Sequence, residues 1–361
     1  MELSDTVLIR RGKSYAGQQI YAFDLDSTLI ETGDKRKKAA ASTPRWNWWN
    51  EVVPTTLHKL EGSSAILVIF SNQSHIEGEK RTVIERKIAE MCDTAKINPW
   101  VFIATEHNWY RKPGPGMWSI ASILLDCHDA KPVVYVGDAA GRAGDFADSD
   151  AKFAYNIGTQ FATPEQFFLG AAAASPFKLT DYSEILVSKR VADDERISIM
   201  NCVTAVDKPV AVFMCGPPAA GKSTLAALMA KKHKMECINQ DVLGTRAKTF
   251  KAIASAIDKN HSFIIDKLFA TAEERAEYLQ IIPDTYSTVC IIVSIKREYA
   301  EVLNKIRAEL THSFYVPEIV YATFYKRYVE PSTDEFDYVF IYNSLVSRAS
   351  DTGKLLAQRQ Y

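Results

Sequence analysis

Short, nearly continuous apolar runs alternate with helix-patterned stretches along most of the chain. In the first half the runs are QQIYAF before Asp24, AILVIF before Ser71, PWVFIA, and VVYVG before Asp138. Successive apolar residues in a strand mean that both faces are buried, and helices between such strands supply the crossovers that a parallel sheet requires. The expected fold class is therefore α/β. In sheets of this kind ligands bind at the carboxyl ends of the strands, which is where the polar residues Asp24, Ser71 and Asp138 fall.

The pattern loosens from Phe161 to about Ala205. AAAASPF (171–177) reads as a helix end and a connector, and VADDER (191–196) is polar. Alternation then restarts with VAVFMCG, a helix from about Lys222, MECINQ, a helix from about Thr245, SFIID, a helix near Ala272, STVCIIV, a helix near Glu298, and DYVFIY. Two domains are expected, 1–175 and 205–361, with a connector over 176–204. A length of 361 residues suits two domains of common size.

Composition narrows this picture only slightly. Apolar content of 47% and charged content of 24% are ordinary for a folded globular protein. A formal charge of −1 leaves any nucleic-acid contact to local basic patches, because the field of the whole molecule would not steer a polyanion. The six cysteines lack a C-x-x-C pair and read as reduced core residues. The N-terminal stretch has no apolar signal core, and no segment reaches the ~18 apolar residues that read as a membrane span. An intracellular, soluble protein without membrane contact is expected.

In FDLDSTLI (Phe23 to Ile30), Asp24 emerges from a strand where it could attack phosphorus as a nucleophile. Asp26, two residues on, would serve as the acid that protonates the departing oxygen. Thr28 is expected to help fix the turn; an aspartate pair that merely caps a strand and turn is the alternative. Ser71 could donate to a phosphoryl oxygen, and Lys112 in YRKPGPGMW could offset the negative charge. Asp138 in YVGDAAGR could join Asp24 as a ligand of Mg²⁺, a hard cation that prefers oxygen donors, and Asp145 could add a contact through a water. The order D-x-D-x-T, Ser, Lys, acidic pair resembles the haloacid dehalogenase superfamily. That resemblance implies a Rossmann-like parallel sheet, an aspartyl-phosphate on Asp24, and Mg²⁺ held by Asp24, Asp138 and the backbone carbonyl of Asp26.

The second half carries GPPAAGKST (Gly216 to Thr224). Gly216, Gly221, Lys222 and Ser223 match G-x-x-x-x-G-K-[ST] between an apolar strand and a helix, the setting of a phosphate-cradling loop. The loop amides and helix N-terminus would bind phosphates, Lys222 would reach the β/γ oxygens, and Ser223 would hold Mg²⁺, with Thr224 also on the nucleotide side. ATP or GTP binding follows. Asp241 in INQDVLGT is expected to accept the proton of an acceptor hydroxyl, with a helix N-cap as its other reading. Asp266 would hold the magnesium through water, or cap a helix. Arg307, placed after a helix, would belong to a lid over the triphosphate or be a solvated helix arginine.

Both halves together resemble the polynucleotide kinase/phosphatase family: a haloacid dehalogenase-like phosphatase followed by a P-loop kinase. FDLDSTLI, YRKPGPGMW, YVGDAAGR followed by DF, ATPEQFFL, GPPAAGKST, NQDVLGT and YKRYVEP carry the likeness across most of 18–345. It implies Mg²⁺ and ATP, removal of 3′-phosphates and phosphorylation of 5′-hydroxyls on DNA, with RNA open, and ends suited to a ligase or another repair partner. Phosphatase before kinase matches the animal-type order. The leading forkhead-associated domain of animal members is expected to be absent, since the first catalytic strand begins near Gln18. Many relatives have Arg where Gln240 stands, and Asn-Thr-Asn where Lys267, Leu268 and Phe269 follow Asp266, so acceptor preference is open.

Lys35 to Lys38 could hold a nucleic-acid backbone, line a solvated loop or serve nuclear import, while Trp46, Trp48 and Trp49 read as core-packing residues or as platforms for a base. Lys231, Lys232 and Lys234 read as a solvated helix end. The expected location is the nucleus, with organelles and cytoplasm open, and the expected state is a monomer. Two rival readings remain: a fused phosphatase and kinase acting on a small metabolite, and a protein in which one half is a non-catalytic binding module.

Overall fold

A computed structural model of the chain describes all residues except 1, 5, 33–45, 75, 129, 173–177 and 207. Lys35 to Lys38 therefore lie outside the described residues. The chain divides into two compact units. The first comprises Met1–Thr180 with Thr311–Tyr315 and Gln358–Tyr361, and the second Asp181–Leu310 with Val316–Ala357.

Along the first unit run β1 (Glu2–Ser4), β2 (Val7–Arg10), β3 (Ile20–Phe23), β4 (Ile30–Thr32), β5 (Trp46–Trp48), α1 (Val52–Gly62), β6 (Ile66–Asn72) and α2 (Glu79–Ala95). They are followed by β7 (Trp100–Ala104), α3 (Gly116–Leu124), β8 (Val134–Val136), α4 (Ser149–Ile157), β9 (Gln160–Ala162) and α5 (Pro164–Leu169). Seven strands form one sheet in the order β1-β2-β7-β6-β3-β8-β9. The run from β7 to β9 is parallel. At the other edge β1 and β2 are antiparallel, which departs from the all-parallel expectation. The reason is local: only two residues separate Ser4 from Val7, and so short a link closes a hairpin but cannot cross over a sheet.

Both faces of this sheet are buried, as continuous apolar strands demand. Ala22, Val68, Phe70 and Phe102 pack on one face, and Phe23, Leu67, Ile69 and Val101 on the other. The β4/β5 hairpin stands apart from it. Trp46, Trp48 and Trp49 are half-buried and pack against the second of these clusters.

The second unit contains β10 (Leu186–Val187), α6 (Lys189–Thr204), β11 (Val210–Cys215), α7 (Lys222–His233), β12 (Glu236–Asn239), α8 (Gln240–Leu243), α9 (Arg246–Asp258) and β13 (Phe263–Asp266). Then come α10 (Ala272–Leu279), β14 (Ser287–Ser294), α11 (Arg297–Thr311, its last residue grouping with the first unit), α12 (Glu318–Arg327), β15 (Tyr338–Asn343), β16 (Val346–Ser347) and α13 (Asp351–Gln358). Its main sheet is parallel throughout, in the order β12-β13-β11-β14-β15. Val212, Met214 and Ile264 fill one face, and Phe213, Ile265 and Cys290 the other. Most of the stretch read as a connector is α6, whose Ile199, Met200 and Val203 belong to the core of this unit. Lys231 and Lys232 are exposed in the last turn of α7, and Lys234 caps it. No helix among the described residues is long and apolar enough to cross a membrane.

Candidate active sites

In the first unit, β3 lies between β6 and β8, so the three strand ends converge. Asp24 follows β3, with its amide donating to the Val136 carbonyl at 2.8 Å. Ser71 lies near the end of β6 and Asp138 two residues beyond β8. Lys112 comes from the loop after β7. The Asn72 side chain holds it there, accepting from the Lys112 amide at 2.8 Å and donating to the Lys112 carbonyl at 3.0 Å.

The three N–H groups of the Lys112 ammonium are shared among four acceptors. It donates to Asp24 Oδ1, to Asp150 Oδ1 at 2.7 Å, to the Tyr135 hydroxyl at 2.9 Å and to the Phe70 carbonyl at 3.0 Å. Burial alone would lower its pKa, but the charges of Asp150 and Asp24 outweigh that and hold it above the ordinary lysine value. Burial pushes the Asp24 carboxyl well up, and Asp150 adds to the effect while Lys112 opposes it. Burial, reinforced by Asp150, pushes Asp138 up to about 6. Asp24, Asp138 and Asp150 each present an oxygen, and the three oxygens lie within 4.8 Å of one another. Three carboxylates against one lysine leave an excess of negative charge, and an all-oxygen donor set suits a hard divalent cation.

Asp150 is the residue that sequence reading missed. It occupies the first turn of α4, and the bare backbone of Gly137 makes room for it: a Cβ there would meet Asp150 Oδ2 at 2.5 Å. Its signal in the sequence is the run of acids after Asp138, where nothing local distinguishes Asp150 from Asp145. Asp145 is instead tied into its own loop, accepting from the Arg142 guanidinium at 3.0 Å and from the amides of Ala140 and Arg142. Those bonds occupy its carboxylate and take it out of the cluster.

Asp26 stands apart from these three carboxylates. Lys87 on α2 reaches Asp26 Oδ1 at 3.1 Å, and Gln73 donates both to Asp26 Oδ2 and to the Ser71 hydroxyl, the latter at 3.0 Å. Neither Lys87 nor Gln73 was foreseen. Thr28 makes no hydrogen bond that would fix the turn, because its buried hydroxyl has no partner among the described residues. The turn is closed by the backbone, from Ser27 N to Ile30 O at 2.8 Å and from Leu29 N to Leu25 O at 3.0 Å.

In the second unit the loop after β11 turns at Gly216 (φ 146°) and Gly221 (φ 93°). A Cβ at Gly216 would meet the Val293 carbonyl at 2.8 Å, so the close passage of this loop over β14 requires glycine. Lys222 begins α7, is buried, and donates to the Pro217 carbonyl at 2.6 Å. Burial lowers its ammonium to about 8 despite the opposing pull of Asp266. Lys222, Ser223, Asp241, Asp266 and Arg307 line one cavity of about 570 Å³. Thr224 is exposed on the following helical position and does not line it.

Asp241 is not a helix N-cap. Asn239 caps α8, accepting from the Val242 amide at 3.0 Å, while its amide group donates to Asp266 Oδ2 at 2.6 Å. Asp241 is thereby left exposed at the cavity. Asp266 ends β13 and does not cap the following helix, since Thr271 caps α10. Arg307 lies within α11 rather than after a helix, because α11 runs on to Thr311; its guanidinium donates to Asn304 at 2.9 Å.

Two family models match the chain: "Polynucleotide kinase 3 phosphatase" over residues 19–168 and "AAA domain" over 212–331. A bifunctional polynucleotide phosphatase/kinase of Schizosaccharomyces pombe is 33% identical over 92% of this chain and 81% of its own length. A putative bifunctional polynucleotide phosphatase/kinase of Acanthamoeba polyphaga mimivirus is 27% identical over 91% and 85%. The polynucleotide 3′-phosphatase ZDP of Arabidopsis thaliana is 32% identical over 44% of this chain and 25% of its own. The phosphatase match thus falls on the first α/β unit and the AAA-domain match on the second, and the chain belongs to the bifunctional polynucleotide phosphatase/kinase family.

Proposed function

We propose that the first unit removes 3′-phosphates from nucleic-acid ends and that the second phosphorylates 5′-hydroxyls with ATP, DNA being the preferred substrate and the nucleus the place of action. The coexistence of a buried carboxylate cluster around Lys112 and a separate cavity lined by Lys222 and Asp241 carries this reading. The products, a 3′-hydroxyl and a 5′-phosphate, are what a ligase joins.

In the first site an Asp24 oxygen attacks phosphorus and the bond to the 3′-oxygen breaks, leaving an aspartyl-phosphate. Asp26, aimed by Lys87 and Gln73, gives its proton to the departing oxygen and then takes one from the water that releases phosphate. Ser71 donates to the phosphoryl oxygens, while Lys112, held by Asp24 and Asp150, offsets the negative charge of the site. Asp24, Asp138 and Asp150 would hold Mg²⁺, which when bound offsets the repulsion between carboxylate and phosphate. In the second site the loop from Gly216 to Lys222 cradles the donor phosphates, with Arg307 and Lys222 neutralising charge near the γ-phosphoryl. Asp241 orients the 5′-hydroxyl and accepts its proton. Ser223, and Asp266 through water, would hold the magnesium that accompanies ATP.

One oligonucleotide bearing a 5′-hydroxyl and a 3′-phosphate, prepared in DNA and RNA forms and incubated with Mg²⁺, tests the whole reading. The 3′-phosphate should leave with or without ATP, and a 5′-phosphate should appear only with ATP, faster on DNA. A substrate unchanged at both ends would refute it.

A further inference from the structure

Arg307 reaches the cavity of the second unit from α11, and the residue one helical turn before it bears on where its guanidinium points. Asn304 is only 4% exposed, and both ends of its side-chain amide are engaged. Its Nδ2 donates to the Val316 carbonyl at 3.0 Å, and its Oδ1 accepts from the Val316 amide at 3.0 Å, so the side chain pairs with that backbone much as a neighbouring strand would. The same Oδ1 accepts from Arg307 Nη2 at 2.9 Å. Residues at this spacing share one face of a helix, which brings the two side chains together.

Val316 is the residue at which the chain returns to the second unit, immediately before Pro317 and α12. Arg307 and Val316 line the cavity together with Lys222 and Ser223. A second tie holds α12: the hydroxyl of the buried Tyr321 lies 3.2 Å from the Ala300 carbonyl of α11 and 3.3 Å from the Pro218 carbonyl of the phosphate loop. The two helices and the loop thus share one frame, and Asn304 fastens to it a long side chain that has many rotamers of its own. A carboxylate in place of Asn304 would bind the guanidinium more tightly but would neutralise the charge that a phosphate must meet; an uncharged amide oxygen aims the guanidinium and leaves its charge intact. Burial depresses the Lys222 ammonium and the charge of Arg307 adds to that effect, so the two cations bear on the same space. A donor held ready in this way loses no further conformational freedom when charge develops during transfer.

We propose that Asn304 is a positioning residue of the kinase: it grasps the Val316 backbone with its amide and Arg307 with the shared oxygen, and so sets the guanidinium for the γ-phosphoryl during transfer. This rests on the reading of Arg307 as a group that neutralises charge near the γ-phosphoryl. Asn304 touches no substrate itself, so its effect on turnover passes through Arg307. The entry of α12 is the fixed reference for that aim.

The test measures kinase kcat, KM for a 5′-hydroxyl oligonucleotide and the affinity for ADP with Mg²⁺ in wild type, Asn304→Ala, the similarly sized Asn304→Leu, Arg307→Gln and the double variant Asn304→Ala/Arg307→Gln. Asn304→Ala and Asn304→Leu should lower kcat by about 100-fold, the scale of a misplaced group. Oligonucleotide KM and ADP affinity should stay within about twofold, the second because ADP lacks the γ-phosphoryl, and retained ADP binding also reports a folded phosphate loop. In the Arg307→Gln background, Asn304→Ala should cost no more than about twofold further, since the two residues act through one group. Losses that multiply in the double variant, a fall in ADP affinity as large as the fall in kcat, or an unchanged kcat in both Asn304 variants would overturn the positioning role. Turnover retained in full by Arg307→Gln would instead refute the reading of Arg307, so the two failures are told apart.

Discussion

Lys112 answers to two carboxylates at once, and Asp150 is the one whose importance the linear order of residues concealed. Removing its charge while keeping its shape should weaken the cluster that Asp24 and Asp138 complete. Asp150→Asn is expected to raise the Mg²⁺ concentration for half-maximal phosphatase activity by about 10- to 100-fold, the usual range for losing a metal-site carboxylate or its support. Phosphatase assays across a magnesium titration measure this; an unchanged requirement would take Asp150 out of the metal site. Asp24, Asp26, Ser71, Lys112 and Asp138 were legible because each ends a strand or sits in a recognisable motif. Asp150 was not, since it reaches the site from a helix through space opened by Gly137.

At the scale of elements, the end of β12 and the end of β13 are coupled by one side chain. Asn239 pairs with Asp266 in strand register, donates to its carboxylate and caps the short helix that carries Asp241. Asn239→Ala removes the cap and leaves a buried carboxylate oxygen without its donor, each worth on the order of 1 kcal/mol. Kinase turnover should therefore fall about tenfold or more with phosphatase activity intact, as parallel assays on one preparation would show. A second element contact is structural. The fully buried Arg275 of α10 makes a two-pronged pair with Glu335, with both bonds at 2.7 Å, and donates to the Val329 carbonyl at 2.8 Å. Glu335→Ala would strand a buried guanidinium and should destabilise this unit by about 3–5 kcal/mol, read as a lower unfolding midpoint in denaturant.

At the scale of the molecule, each unit has its own sheet, its own cores and its own set of site residues. Asp24→Asn should reduce phosphatase activity by about three orders of magnitude or more, as expected for loss of a nucleophile, and leave the kinase; Lys222→Ala should do the reverse. Loss of both activities from either change, measured on the doubly reactive oligonucleotide, would contradict separate sites. The net charge of −1 gives no general attraction to nucleic acid, so strand binding must arise from local basic groups.

Sequence alone determined what depends on short range. Continuous apolar runs specified strands buried on both faces, and turn glycines and strand-end aspartates specified where phosphate chemistry would lie. Spacing also located the two α/β halves. Only the tertiary structure decided which of several acids joins Asp24, that Asn239 rather than Asp241 caps α8, and that Lys267 and Arg327, 60 positions apart, share Glu274. The reason is physical. Strand and turn patterns are written in neighbouring residues, whereas charge pairing is set by distances in space, and a carboxylate that faces a lysine looks the same in sequence as one that faces water.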